Sequence, residues 1–255
     1  MHVLVIAMLV TVFTAEYLVR DRGLLHPYMV LLPELLSAVA MVIVLGRIVA
    51  GARIALDWRY VMFFAVLIVT LICGFILQDV PQGAVLAGIR SHLKFLPFFL
   101  LPAVYRFSPE QLRTQVMLLF LMLVLETPLA VYQRFVEFAH QMDTGDPVKG
   151  TASTSSALSM LLICGIAAVV ALYLRKKVGF IKALALVGIL FLPTTINETK
   201  ATLLLLPVAL LAPAFCMPKG SGALRRILPV VAIGALAGIA FIGVYDTLIQ
   251  NRQDG

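Results

Sequence analysis

The sequence predicts an all-α fold, a polytopic transmembrane helical bundle of about nine spans with the N-terminus cytoplasmic, and three observations predict it. Of its 255 residues, 62% are hydrophobic and only 13% are charged, and the mean hydropathy is +1.03, far above a soluble domain. The apolar residues gather into runs near the ~20 needed to cross the hydrocarbon of a bilayer. Those runs are too long for barrel strands, and lipid requires a spanning segment to satisfy its backbone internally, which selects helices. One bundle spanning residues 1–255 is therefore expected rather than a chain of soluble domains. The net charge of +7 does not indicate nucleic-acid binding, because no basic stripe carries interleaved aromatics.

The first run, His2–Val19, lacks a basic leader and a small-residue cleavage site, so it is expected to be a retained span rather than a signal peptide. Tyr28–Val49 and Tyr60–Leu77 follow. The fourth run, Val85–Tyr105, contains Pro97 and Pro102, which are expected to bend it. Leu112–Tyr132, Ala152–Leu174, Val178–Ile196 and the short Thr199–Phe215 come next, and Ile227–Tyr245 is the ninth. In this last run Gly234 and Gly238 form GALAG, a spacing suited to close helix packing. Cys73, Cys164 and Cys216 share no CxxC spacing. They imply neither a metal site nor a disulfide and are expected to be small buried hydrophobes.

Cations orient the bundle. With the N-terminus inside, the cytoplasmic connections hold Arg47, Arg53, Arg59, Arg106, Arg113, Arg175, Lys176, Lys177, Lys182, Lys219, Arg225 and Arg226. The smaller remainder is outside, as the positive-inside rule requires, although Arg20 and Arg22 oppose it. The outer segments are then RDRGLLHP, QDVPQGAV, the longer QRFVEFAHQMDTGDPVKGTAS and a polar cluster within LPTTINETKATLLLLP. Residues 245–255 would begin a further outer loop, so the chain is expected to be a fragment or a truncated product.

Three constellations carry possible chemistry. In GIRSHLKFLPFFLLP, Arg90 and Lys94 are four apart and share a helix face. Such a pair suits a phosphate or pyrophosphate, arginine offering a fork and lysine a point charge. It equally suits cationic stems snorkelling to the interface, which Lys94, a turn deeper, fits less well. In the polar cluster, Asn197 and Lys200 can share a helix face while Glu198 turns away. The cluster is either an ordinary outer turn or a functional break between spans seven and eight. The third, GTASTSSALS at Gly150–Ser159, can cap span six and offer hydroxyls to an anion, or simply cap and pack. Glu16, Glu34 and Glu126 lie in or near apolar runs, and sequence alone names no cationic partner for them. No GxSxG, HExxH, P-loop or dinucleotide fingerprint is present.

The order of these features resembles the N-terminal part of the O-antigen polymerase and O-antigen ligase superfamily. The resemblance rests on LPELL at Leu32–Leu36, IRSHLKFLPFFL in span four, AVYQRF at Ala130–Phe135, the loop ending in GTASTSSALS, the basic RKK turn and the polar cluster before span eight. These motifs are loose and span nearly the whole chain. The resemblance implies a glycosyltransferase of the bacterial inner membrane acting at its periplasmic face. Its donor would be an undecaprenyl-diphosphate-linked glycan and its acceptor a glycan or lipid-core hydroxyl. It implies no metal and no cofactor, membrane lipids and other polysaccharide-assembly proteins as partners, and no nucleic acid. Arg90, Lys94 and Lys200 would hold the diphosphate, with Asn197 and Glu198 orienting Lys200. Lys200 stands where the family usually has the arginine of a Ser-Arg pair. The general base would lie beyond Gly255. Whether polymerase or ligase is meant stays open, and a flippase-like transporter or a non-catalytic membrane subunit is the alternative.

Overall fold

The structure is a computed structural model, and it describes residues 1–54, 56, 58–77, 81, 83, 88, 90, 94–139, 147–197, 201–217, 228–232, 234, 236, 239 and 243. Among these residues the fold is all-α, with helices α1 (His2–Glu16), α2 (Leu32–Val49), α3 (Trp58–Leu77), α4 (Leu96–Val104), α5 (Pro109–Tyr132), α6 (Ser155–Leu174), α7 (Phe180–Ile196) and α8 (Ala201–Phe215). Among the described residues, four helical stretches are long and apolar enough to cross a membrane: His2–Asp21, Pro27–Val49, Pro109–Glu137 and Ser155–Leu174. This is the build of a membrane protein. Phe180–Ile196 is a shorter apolar helix, and most of the expected ninth run lies outside the described residues.

Local chemistry sets the helix ends. α2 carries Pro33 and Glu34 in its first turn and Arg47 in its last, so both charges complement the helix dipole. It stops at Gly51, whose φ of 82° lets the Gly51 and Ala52 amides return to the Ile48 and Arg47 carbonyls, each at 2.9 Å. α5 opens with a reciprocal capping box. The Gln111 amide donates to Ser108 Oγ at 3.2 Å and the Ser108 amide donates to Gln111 Oε1 at 3.1 Å. α6 ends on the same paired bonds as α2, but the left-handed residue is Lys176, φ 58°.

The chain gathers into two compact units, Met1–Val116 and Met117–Gly255. In the first, α2 packs on α1 and α4 around Ala40, Val44, Leu101 and Val104. Tyr60 and Phe64 of α3 meet the Phe99 ring edge-on, at 5.2 and 5.5 Å between centroids. In the second, α6 is the central element, packed by α7 and α8. It buries more of its surface than the other three long apolar helical stretches, about half, while Met160 and Cys164 stay exposed. Gly165 permits this packing, since a Cβ there would lie 2.8 Å from Leu123 Cδ1 and 3.2 Å from Leu190 Cδ1. A Cβ at Gly234 would collide with Leu210 Cδ1, which fits the close packing expected of GALAG; Gly238 lies outside the described residues.

The cysteines correct an expectation. Cys73, Cys164 and Cys216 are exposed on the protein surface rather than buried. In lipid, an outward face is itself apolar, so a small hydrophobe gains nothing by turning inward.

Candidate functional site

The first candidate site belongs to the Met1–Val116 unit. α4 begins with Pro97 in its first turn, so that Pro97 starts the helix instead of bending a continuous one. Before it the chain makes a turn at Lys94–Phe95. The Phe98 amide bonds back to Phe95 at 3.1 Å, a three-residue step that bypasses the Lys94 carbonyl. Ser37 of α2 fills that vacancy, its hydroxyl donating to Lys94 O. The break thus ties α2 to the segment that carries the two cations. The Lys94 amide still reaches Arg90 O at 3.1 Å, so the helical four-residue step between Arg90 and Lys94 holds. Both line one open cleft of about 330 Å³ with Glu34, Ser37, Ala38, Met41 and Pro97.

The two cations are not equivalent. Arg90 donates from Nε at 3.0 Å and from its terminal nitrogen at 2.6 Å, both to Glu34 Oε1. Glu34 therefore has the partner that sequence alone did not supply, and Glu16 likewise pairs with Arg20 at 2.7 Å. Lys94 is half-buried, with its ammonium 4.9 Å from the Phe95 ring centroid. Among the described residues no carboxylate pairs with it. The cleft thus holds two cations and one carboxylate, leaving a net positive charge.

The second candidate site is a polar belt in the Met117–Gly255 unit. Glu126 and Gln133 are seven apart in the α5 segment, two turns along one face, and both are buried. Together they receive the returning loop. The Gln133 amide donates to Gly150 O at 3.0 Å, and its oxygen accepts from the Lys149 and Gly150 amides at 3.2 and 2.7 Å. The Glu126 carboxylate accepts from the Thr151 amide at 2.9 Å and from the Thr151 hydroxyl. Gly150 is required here. Its φ is +60°, and a Cβ would collide with Glu126 Oε2. The pinned loop delivers Thr154, whose hydroxyl accepts from the Ala157 amide at 3.1 Å and caps α6. The capping expected of GTASTSSALS is therefore present.

Asn197 ends α7 and is buried beside the same end of α6. Its amide nitrogen donates to Ser155 O at 3.1 Å and to Ser159 Oγ at 2.8 Å. The structure thus gives Asn197 a clamping role between α7 and α6. Glu198 and Lys200 lie outside the described residues, as does His92. Glu126, Gln133 and Thr151 were not singled out as a unit by sequence reasoning. The available signal was a carboxylate and an amide seven apart in an apolar run, since ionisable groups in spans are functional candidates by default. No protein-family profile, curated protein or solved structure matches the chain.

Proposed function

We propose that the chain is the membrane core of a glycosyltransferase of the O-antigen polymerase or ligase type, with the Arg90–Lys94 cleft receiving the diphosphate of a polyprenyl-linked glycan donor. The observation that carries this reading is the cleft itself. It offers two cations four residues apart, one of them without a carboxylate partner among the described residues, beside the turn that precedes α4. In glycan transfer the acceptor hydroxyl attacks the anomeric carbon and the bond to the diphosphate breaks. Negative charge then grows on the leaving oxygen. Cations already gathered in the cleft would stabilise that charge as it develops. Lys200, three residues beyond the buried Asn197 clamp, is proposed as a third cation. Glu198 is proposed as its companion.

The reading is tested by binding a polyprenyl diphosphate to the protein in nanodiscs. Lys94→Ala is expected to weaken binding by about tenfold and Arg90→Ala by a comparable factor. Unchanged affinity in both variants would remove the cleft as the donor site. In cells making the cognate glycan, Lys200→Ala is expected to abolish polymer while leaving membrane insertion intact, and normal polymer yield would exclude that lysine.

One observation favours a second reading, an ion-coupled transporter of lipid-linked glycan. Glu126 is a buried carboxylate within a span, with no cation beside it among the described residues, and such groups line ion pathways. Gradient-driven uptake into proteoliposomes with no covalent product would establish that reading over the first.

A further inference from the structure

We infer that Glu34 is a built-in counter-anion that reserves Arg90 for ligands more highly charged than a phospholipid headgroup, making it the specificity-determining residue of the cleft. The inference rests on the reading of the cleft as a diphosphate site and adds a selection step to it. Glu34 sits in the first turn of α2, where the helix dipole favours a carboxylate. It presents one oxygen, Oε1, to both Arg90 donors. Its second oxygen takes no hydrogen bond among the described residues. The side chains of Arg90 and Glu34 are 61% and 33% exposed, so this is a surface-type ion pair, weak and exchangeable. Lys94, in the same cleft, has no carboxylate partner among the described residues.

Charge counting gives the selectivity. The cleft opens beside the first turn of a helix long enough to cross a membrane, so phosphodiester headgroups compete for it. A headgroup bearing one negative charge that displaced Glu34 from Arg90 would exchange one anion for another. A diphosphate carries more charge and can bridge Arg90 and Lys94, so its exchange strengthens the attraction to both cations. Glu34 therefore holds off singly charged lipids while yielding to a diphosphate. Without the carboxylate, Arg90 would capture any phosphate within reach.

The test uses the full chain in nanodiscs of phosphatidylcholine, with or without phosphatidylglycerol. Inorganic pyrophosphate is titrated in one arm and a polyprenyl diphosphate in the other. Wild-type affinity is expected to change less than about twofold when phosphatidylglycerol is added, whereas Glu34→Gln gains about tenfold in pure phosphatidylcholine and loses it when the anionic lipid is present. Arg90→Ala is expected to abolish the gain from Glu34→Gln, because the carboxylate acts through that guanidinium. A gain that persists without Arg90, or no gain at all, overturns the inference. If Glu34→Gln fails to insert, Glu34→Asp, with its shorter reach, is expected to move affinity in the same direction by less, and no movement overturns the inference equally. A Lys94→Ala variant with wild-type diphosphate affinity would instead sink the underlying cleft reading. A response in the lipid arm alone assigns the ligand as a lipid headgroup, and one in the pyrophosphate arm as a free anion, with the Glu34 effect required in whichever responds.

Discussion

Gly150 has the least latitude of the residues in the polar belt. Its φ of +60° would strain any other residue, and an added methyl would land on the Glu126 carboxylate. Gly150→Ala should therefore combine left-handed strain with the loss of hydrogen bonds to a buried carboxylate, a destabilisation of about 2 kcal/mol or more. Thermal unfolding in detergent reads this, and a melting temperature equal to wild type would show that the loop does not need its docked geometry. The requirement was half legible. The sequence GTASTSSALS showed a helix start, and Thr154 does cap α6. The need for glycine arises from Glu126, 24 positions earlier, and no local pattern announces a contact made across a loop. Arg90 and Lys94 were legible because their spacing is local and helical. Glu34 as Arg90's partner was not, since it comes from a different helix.

Helix breaks in this chain show how proline is accommodated. Pro193 has no N–H, so the Ile189 carbonyl loses its normal donor within α7. In lipid no water replaces it, and an unfilled carbonyl is costly. The Thr127 hydroxyl of α5 donates to Ile189 O at 2.8 Å, which fills the gap and links two helices. Thr127→Val should cost about 0.6 kcal/mol, the average for hydrogen bonds between membrane helices, and at most about 1.7 kcal/mol. Pro193→Ala restores an amide for Ile189, so Thr127→Val should cost much less in that background. A double-mutant cycle by steric trapping or denaturant unfolding measures the coupling, and additive effects would mean the hydroxyl does not serve this carbonyl. The prolines were visible in sequence as points of disturbance. Which neighbour compensates each of them depends on packing and could not be read there. Pro97 illustrates the same limit, since it opens α4 and does not bend a continuous span.

At the scale of the molecule, hydropathy made the all-α membrane class legible, because bilayer thickness fixes segment length and lipid excludes unpaired backbone. Orientation depends on charge placement, which side-chain packing does not report. The C-terminal end of the α5 segment, the start of α6 and the end of α7 are bound to one another by Gln133, Glu126 and Asn197. They must therefore lie toward one membrane face, while the basic turn Arg175–Lys177 lies at the opposite end of α6. The positive-inside rule would put that basic turn in the cytoplasm and hence the polar belt outside, an expectation that labelling tests. Arg20 and Arg22 pull the other way, but Arg20 is paired with Glu16 and Arg22 stacks on Tyr17. With Cys73, Cys164 and Cys216 replaced by alanine, a membrane-impermeant maleimide should label Lys177→Cys only after the membrane is opened. It should label His26→Cys, in the first segment expected outside, in intact spheroplasts. Labelling of position 177 in intact spheroplasts would invert the bundle and move the Asn197 clamp to the cytoplasmic face. A diphosphate donor presented from outside could not then be served by Lys200, so this labelling experiment bears on the site as well as on the topology.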